Sequence, residues 1–545
     1  MIFNKDLKNI NDLIKKGNLQ EAHQKLKEYP LKALENVTDQ VYFYNLFAST
    51  LNMLSKFDEG IQYADKAIKI AEEENLNSLA IEAKMRKGEA YWRTGKLDFA
   101  LEVLTTAEKN AKELNIPDIK KQFSLNKDIL YNLGVVHALK GNLRESLEMF
   151  QKGFEILKDD PDFEGSNIGF VNAIGNIQWS LGEIDLALQE YYTALEYYKK
   201  FKNNMLIGTT LSNIGSVFLS KGELDLALNS FNEALSNLNS KDHKQFLGII
   251  RHNIGRGYTY KGEFLKAIDY FTQALTIFED IGNEIQQANT ISKIIAIYVD
   301  LNNIKMIPQY LDRLKDISRN NDNKIIKQRL DLSNAISLKV FKEEESGSLS
   351  FRSIKNTFGR YVTAIEHLNK IIDEDILEHD LTIEAIQNLC EILLMEFRMF
   401  GTTESMNKIN EMVDKMLSIG LKQNSFDLQI KGSILKSKLM LLSSDTQKSL
   451  LLLDKALLMA KEKGYDKLAS VIEKELSDIE KTGSSWNNET SFAEKIKDLR
   501  LEESFVAVRQ NRIENITTDE YQNITPTMDD LKEFASQLSK KTFDW

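Results

Sequence analysis

Histidine and cysteine are the side chains best suited to move protons, attack electrophiles or hold zinc, and here their spacing serves none of these tasks. The six histidines (His23, His137, His243, His252, His367, His379) are dispersed along the chain, and Cys390 is the sole cysteine. A zinc site draws on closely spaced Cys or His pairs, and no such pair exists. No Gly-x-x-x-x-Gly-Lys-Ser/Thr loop is present to cradle a phosphate. His137 falls on an apolar helical stripe and Cys390 within NLCEILLMEF, where packing accounts for both. Carboxylates abound, but helices rich in Glu and Lys bring them together by chance. The sequence therefore implies no catalytic residue, no metal, no cofactor and no small-molecule substrate: not an enzyme.

The chemistry that remains is polar recognition. Asparagine offers both a donor and an acceptor, the pair needed to engage the backbone of an extended peptide. Polar residues recur in three consecutive stretches: Asn172, Asn176 and Trp179; Ser212, Asn213 and Ser216; His252, Asn253, Arg256 and Tyr260. Asn132 shares the column of Asn213 and Asn253, one residue before an apolar position. Arg256 could meet an acidic side chain or a terminal carboxylate, although a full carboxylate clamp needs more basic residues than these stretches supply. Trp92 with Arg86 and Arg93 forms a second candidate surface.

These residues belong to a repeat. Five segments align without a gap: MRKGEAYWRTGKLDFALEVLTTAEKNA (85–111), YNLGVVHALKGNLRESLEMFQKGFEIL (131–157), NAIGNIQWSLGEIDLALQEYYTALEYY (172–198), SNIGSVFLSKGELDLALNSFNEALSNL (212–238) and HNIGRGYTYKGEFLKAIDYFTQALTIF (252–278). The first glycine of each (Gly88, Gly134, Gly175, Gly215, Gly255) sits inside a helix, where glycine costs about 1 kcal/mol. Its recurrence implies that a neighbouring helix comes too close for a side chain. The second (Gly95, Gly141, Gly182, Gly222, Gly262) ends that helix in the left-handed conformation. In the helix that follows, a small residue (Ala100, Ser146, Ala187, Ala227, Ala267) precedes a bulky one by four positions (Leu104, Phe150, Tyr191, Phe231, Phe271). Three further on, a second small residue appears (Ala107, Gly153, Ala194, Ala234, Ala274). Spacings of four and three place all three on one helix face, so the pattern is a packing code.

With its glycine pair and its small–bulky–small second helix, the repeat resembles the tetratricopeptide repeat (TPR) family. It departs from the family pattern in often lacking an early aromatic in the first helix and mostly lacking a proline after the second. The turn glycines are also 46, 41, 40 and 40 residues apart, whereas the usual period is about 34. Such long-period arrays resemble those of kinesin light chains, Leu-Gly-Asn-type adaptors and MalT-like regulators. The resemblance implies an all-α fold, a right-handed superhelical solenoid of helix–turn–helix repeats whose first helices line a concave groove. It further implies that an asparagine just before the apolar position (Asn213, Asn253) or just after the first-helix glycine (Asn176) contacts a peptide backbone, and that the partner is a protein or peptide.

Weaker copies extend the array to about ten repeats. DLNNIKMIPQYLDRL (300–314) carries Pro308 early in its second helix, where a distorted first turn is expected. The next copy, GRYVTAIEHLNKII (359–372), follows after 57 residues, and the surplus falls in KEEESGSLSFRSIKN. The domain reading is residues 1–318 as the clearest array, 319–358 as an irregular insertion, 359–481 as degenerate repeats with a polar-faced capping helix, and 482–545 as a polar, partly helical tail. The tail's end, TFDW, could fold back as an internal ligand, and a ligand-responsive regulator acting through the tail is the alternative to a simple adaptor.

Charge and hydropathy narrow the partners. A net charge of −11 with no Lys/Arg block gives no basic face for phosphates, so nucleic acid is not expected. The N-terminus lacks an apolar signal region and no apolar run is long enough to span a bilayer, so no membrane association is expected. One cysteine permits no intrachain disulfide. These features together suggest a cytoplasmic protein.

Overall fold

A computed structural model describes residues 4–15, 19–30, 34, 36–54, 56–114, 119–158, 169–238, 243–321, 323–339, 351–374, 379–400, 403–422, 425–442 and 445–485. Among these residues there are 23 α-helices and no β-strand. The fold is an all-α, TPR-like solenoid. The helices pair as eleven antiparallel hairpins with a single helix, Asp466–Ser485, at the end, one hairpin more than the sequence suggested. The tail from residue 486, including its expected helices and TFDW, lies outside the described residues, as do residues 340–350 of the expected insertion at 319–358.

The chain divides into two compact units, Met1–Thr210 and Leu211–Trp545. In the first, the hairpins include Asn77–Arg93 with Leu97–Glu113, Ile119–Leu139 with Leu143–Lys158, and Gly169–Ser180 with Ile184–Lys200. In the second, Leu224–Ser236 is followed by Lys244–Lys261 with Phe264–Asp280, Glu284–Asp300 with Ile307–Asn320, and Lys324–Ser337 with Phe351–Asp373. His379–Phe400 with Thr403–Lys422 and Phe426–Leu442 with Thr446–Glu462 complete it.

The helical glycines mark the closest approach within each hairpin. A Cβ built on Gly88, Gly134, Gly175, Gly215 or Gly255 would meet Leu104, Phe150, Tyr191, Phe231 or Phe271, respectively, at 2.6–2.8 Å. Each bulky residue of the second helix thus lies flat on the bare backbone of the first. The flanking small residues Ala100, Ala187, Ala227 and Ala267 are fully buried. Where serine replaces alanine, its hydroxyl finds an acceptor: Ser146 Oγ donates to the Gly134 carbonyl at 2.7 Å. Ser449 Oγ makes the same twelve-residue reach to the Ser437 carbonyl at 2.9 Å, between helices Phe426–Leu442 and Thr446–Glu462.

The turns repeat one device. Gly141 and Gly222 adopt φ of +80° and +75°, and the next residue's N–H reaches back to the carbonyl five positions earlier, as in Glu223 N to Phe218 O at 2.9 Å. The connections between hairpins use the same geometry with less regular residues: Asn75, Lys202 and Gly282 all have positive φ, and Asn203 N bonds Tyr198 O at 3.0 Å. At the Pro308 hairpin, Asn302 takes the turn glycine's place. A 3-10 turn, Ile304–Met306, then leads into Ile307–Asn320 with the proline in its first turn, the distortion its position dictates.

Candidate functional site

The polar residues singled out from the sequence all lie on first helices, and the structure gives several of them partners on the neighbouring first helix. In the Met1–Thr210 unit, Trp92 Nε1 donates to Asn132 Oδ1 at 3.0 Å, while the Asn132 amide donates to the Asp128 carbonyl. Arg93 stacks over the Trp92 ring, 4.6 Å from its centroid. Asn172 Nδ2 donates to Thr210 Oγ1 at 3.1 Å, and the Thr210 hydroxyl donates to the Leu206 carbonyl. Asn176 is exposed and accepts from the Tyr191 hydroxyl, whose acidity burial suppresses. Trp179 is half-buried.

In the second unit, Asn253 is buried and its amide lies 3.5 Å from Ser212 Oγ. Ser216 is spent on the carbonyl of Ser212. His252 sits three residues before its helical glycine, as Asn172 does, and makes the equivalent bond one helix further on. Thr290 Oγ1 donates to the Gln286 carbonyl, so its remaining contact, 3.0 Å from His252 Nδ1, must be as acceptor of the imidazole N–H. Burial pushes the His252 pKa well below its ordinary value of 6.5, and the charges of Arg256, Lys293 and Arg329 push it the same way. The ring is therefore neutral at pH 7 with its proton on Nδ1. Asn213 and Tyr260 are half-buried. Thus Asn132, Asn172, Ser212, His252 and Asn253 tie first helices together, a role the sequence reading had not given them, whereas Asn213 is left partly exposed without such a tie.

Further along the same unit the first helices carry a denser polar cluster. Glu384 accepts from Lys293 Nζ at 2.7 Å and lies 3.5 Å from Arg329 Nη1, joining helices Glu284–Asp300, Lys324–Ser337 and His379–Phe400. One turn on, Lys339 Nζ donates to Asn388 Oδ1 at 2.9 Å and to Glu391. Asp331 accepts from His367 at 2.8 Å and from Lys370 at 2.7 Å. Arg329, Asp331, Asn388, Glu391, Lys431 and Lys438 are all buried. Besides Arg86 and Arg93 near Trp92, Arg256 is the cation expected from the sequence; the structure adds Lys293 and Arg329, whose charges act on His252 together with that of Arg256. Among the described residues, no group of three or more His, Cys, Asp or Glu side chains is placed to hold a metal ion, and no helix is long and apolar enough to cross a membrane.

The tetratricopeptide repeat family profile matches residues 170–240. The chain carries tetratricopeptide repeats. No curated protein matches the sequence. Among solved structures, BtubC from P. vanneervenii is 18% identical with a TM-score of 0.33, covering 42% of this chain and 91% of its own. A Rap protein complexed with competence and sporulation factor is 13% identical with a TM-score of 0.41, covering 82% and 99%. The apo form of the quorum sensor NprR from B. thuringiensis is 18% identical with a TM-score of 0.38, covering 62% and 95%. All three are too distant to pass a ligand or an activity to this chain.

Within helix His379–Phe400, one signal could have exposed the charged cluster. Glu384, Asn388 and Glu391 stand at spacings of four and three, a polar stripe through the otherwise apolar TIEAIQNLCEILLMEF. A solvated face would be exposed, but Asn388 and Glu391 are buried.

Proposed function

We propose that this protein is a non-catalytic binding scaffold that holds a peptide or helix of a partner protein against the first helices of its second unit. The observation that carries the reading is the burial of charged and amide side chains, among them Arg329, Asn388, Glu391 and Lys438, on those first helices. The packing between the two helices of a hairpin uses glycine, small and bulky apolar residues and does not need these groups. Buried polar side chains are costly unless paired, so a helix surface that retains many of them is set up for directional contacts. Asn213, Arg256 and Tyr260, partly exposed on first helices of that unit, would meet the backbone, the acidic groups and the apolar groups of the ligand. Asn132, Asn172, Asn176 and Trp179 form the corresponding surface of the first unit. A charge of −11 argues for a protein partner in the cytoplasm over nucleic acid.

The test is a random peptide-display screen against the full chain, followed by affinity measurement with Asn213→Ala. Loss of one backbone-directed amide contact worth about 1 kcal/mol should weaken a selected peptide roughly fivefold with unchanged thermal stability. Selected peptides whose affinity ignores Asn213→Ala, Arg256→Ala and Tyr260→Ala alike would move the binding surface off these helices.

A further inference from the structure

In the second unit, three consecutive hairpins carry at their turn edge a leucine that their own packing does not use. Leu226 lies in the first turn of helix Leu224–Ser236, just past turn residue Gly222, and is 47% exposed. Leu265 stands just past Gly262 in the first turn of Phe264–Asp280 and is 81% exposed. Leu301, at the corresponding turn of the next hairpin, is exposed as well. A single exposed leucine is ordinary, but one at the same edge of successive hairpins makes a row that a further element can cover.

The chain itself returns to this edge. Lys221 Nζ lies 3.8 Å from where a Cβ on Gly464 would stand, so the connection after helix Thr446–Glu462 sits on the turn that precedes Leu226. The Lys221 side chain is accordingly only 14% exposed, against 32% for Lys261 at the same place in the next hairpin. The connection is firmly built: Gly464 has φ of +70°, Tyr465 N donates to the Ala460 carbonyl at 2.9 Å, and Tyr465 is buried. Helix Asp466–Ser485 starts at this contact and spans about 30 Å. It has no hairpin partner among the described residues, and its Val471 and Leu476 are half-buried.

We propose that residues 491–508 form a helix that runs back along Asp466–Ser485 and seats its far end on Leu226 and Leu265, so that the chain's own tail covers the turn edge of the second unit. Length and spacing both support this occupant. The short connection 486–490 favours an antiparallel neighbour. A helix over 491–508 covers about 27 Å, which brings residues 505–508 back to the level of Gly464. Phe492, Ile496 and Leu499, at spacings of four and three, share one face. Leu501, Phe505 and Val508 repeat those spacings on the opposite face, because Leu501 lies about two and a half turns past Phe492. A helix apolar on two opposite faces needs two surfaces to bury them. The first set meets Val471 and Leu476, and the second meets the leucine row. This contact is independent of peptide binding by the first helices.

The experiment uses the full chain. Hydrogen exchange read by mass spectrometry compares wild type with the double variant Leu226→Asp, Leu265→Asp. Both leucines are exposed and an acid suits the first turn of a helix, so the variant keeps its fold, which circular dichroism verifies. In wild type, amides of 491–508 should exchange about tenfold more slowly than those of 509–526, and the variant should lose most of that protection at 501–508. Cross-linking then tests the contact directly, with Phe505→Cys combined either with Leu265→Cys or with Leu421→Cys, an exposed leucine at the end of helix Thr403–Lys422. The sole native cysteine, Cys390, is buried and stays out of the reaction. Mild oxidation should link the first combination within one chain, and much faster than the second. Amides of 491–508 as open as those beyond, protection indifferent to the leucine substitutions, or equal linking rates for the two combinations would each overturn the proposal. Links between chains, or protection of the leucine edge that rises with protein concentration, would overturn it in favour of a second copy at that edge.

Discussion

Replacing Gly215 by alanine sets two effects of opposite sign against each other. Helix propensity favours alanine by about 1 kcal/mol. Against it, the added Cβ would lie 2.6 and 2.7 Å from Cε1 and Cδ1 of Phe231 and 3.1 Å from the backbone carbonyl oxygen of Ala227, where ordinary contacts are about 3.5–4 Å. Phe231 is fully buried, so its ring has nowhere to retreat without moving the second helix. Overpacking of this kind costs about 1–3 kcal/mol, and the carbonyl on the second side puts Gly215 toward the upper end, a net loss of about 1–2 kcal/mol. Gly359 supplies the control. It is exposed in helix Phe351–Asp373, and its added Cβ would meet nothing within 4 Å, so Gly359→Ala should stabilise by about 0.5–1 kcal/mol. The two substitutions share the propensity term, and their difference isolates the packing term. Because the chain forms two compact units, bulk unfolding need not be one transition. Native-state hydrogen exchange of peptides covering Asn204–Ser220 and Leu224–Ser236 is therefore the better assay, with Phe351–Asp373 read for the control. Phe231→Leu in the Gly215→Ala background should recover part of the loss, with a coupling energy of about 1 kcal/mol. Unchanged or increased protection in Gly215→Ala, or a coupling near zero, would refute the argument that ring-on-backbone contact selects this glycine.

Three further outcomes follow from the same geometry. Lys202 holds φ of +52°, a conformation that costs an L-residue about 1 kcal/mol, so Lys202→Gly should raise the stability of the first unit by up to that amount in thermal unfolding. Lys339→Met should destabilise the second unit by about 3–5 kcal/mol, because it removes the paired ammonium from the buried Glu391 carboxylate, and Lys339→Met with Glu391→Leu should recover most of the loss in urea unfolding. His252 has its folded pKa below 6.5, so between that pKa and 6.5 the unfolded chain binds the extra proton. Its contribution to stability is accordingly complete above pH 6.5 and lost as pH falls, at no more than about 1.4 kcal/mol per pH unit, and His252→Gln should flatten the stability profile between pH 5 and 6.5.

What could be read in advance was whatever one hairpin imposes on itself. Gly215 and Phe231 are sixteen residues apart, and their contact recurs with the repeat, so size alone revealed it. The turn glycines were equally plain, since only φ is at stake. The connections between hairpins escaped notice because Asn75, Lys202 and Gly282 meet the same backbone demand with different side chains. The polar residues were harder. Asn172 and Asn213 look alike in sequence, yet Asn172 meets Thr210 on the next first helix and Asn213 has no comparable tie. Whether an amide faces a neighbour or solvent depends on how far one hairpin is rotated against the next. The Lys293–Glu384 pair lay further out of reach, because no local pattern announces a partner two hairpins away.

That pair has a mechanical consequence. A stack in which every hairpin touches only its neighbours can fray stepwise, each unit peeling off in turn. A tie that skips the intervening hairpin forbids this order between residues 284 and 400: opening the middle pair of helices strains the clasp on both sides, and opening either outer pair breaks it. This stretch should therefore loosen as one block, with amide protons on all three hairpins exchanging in concert.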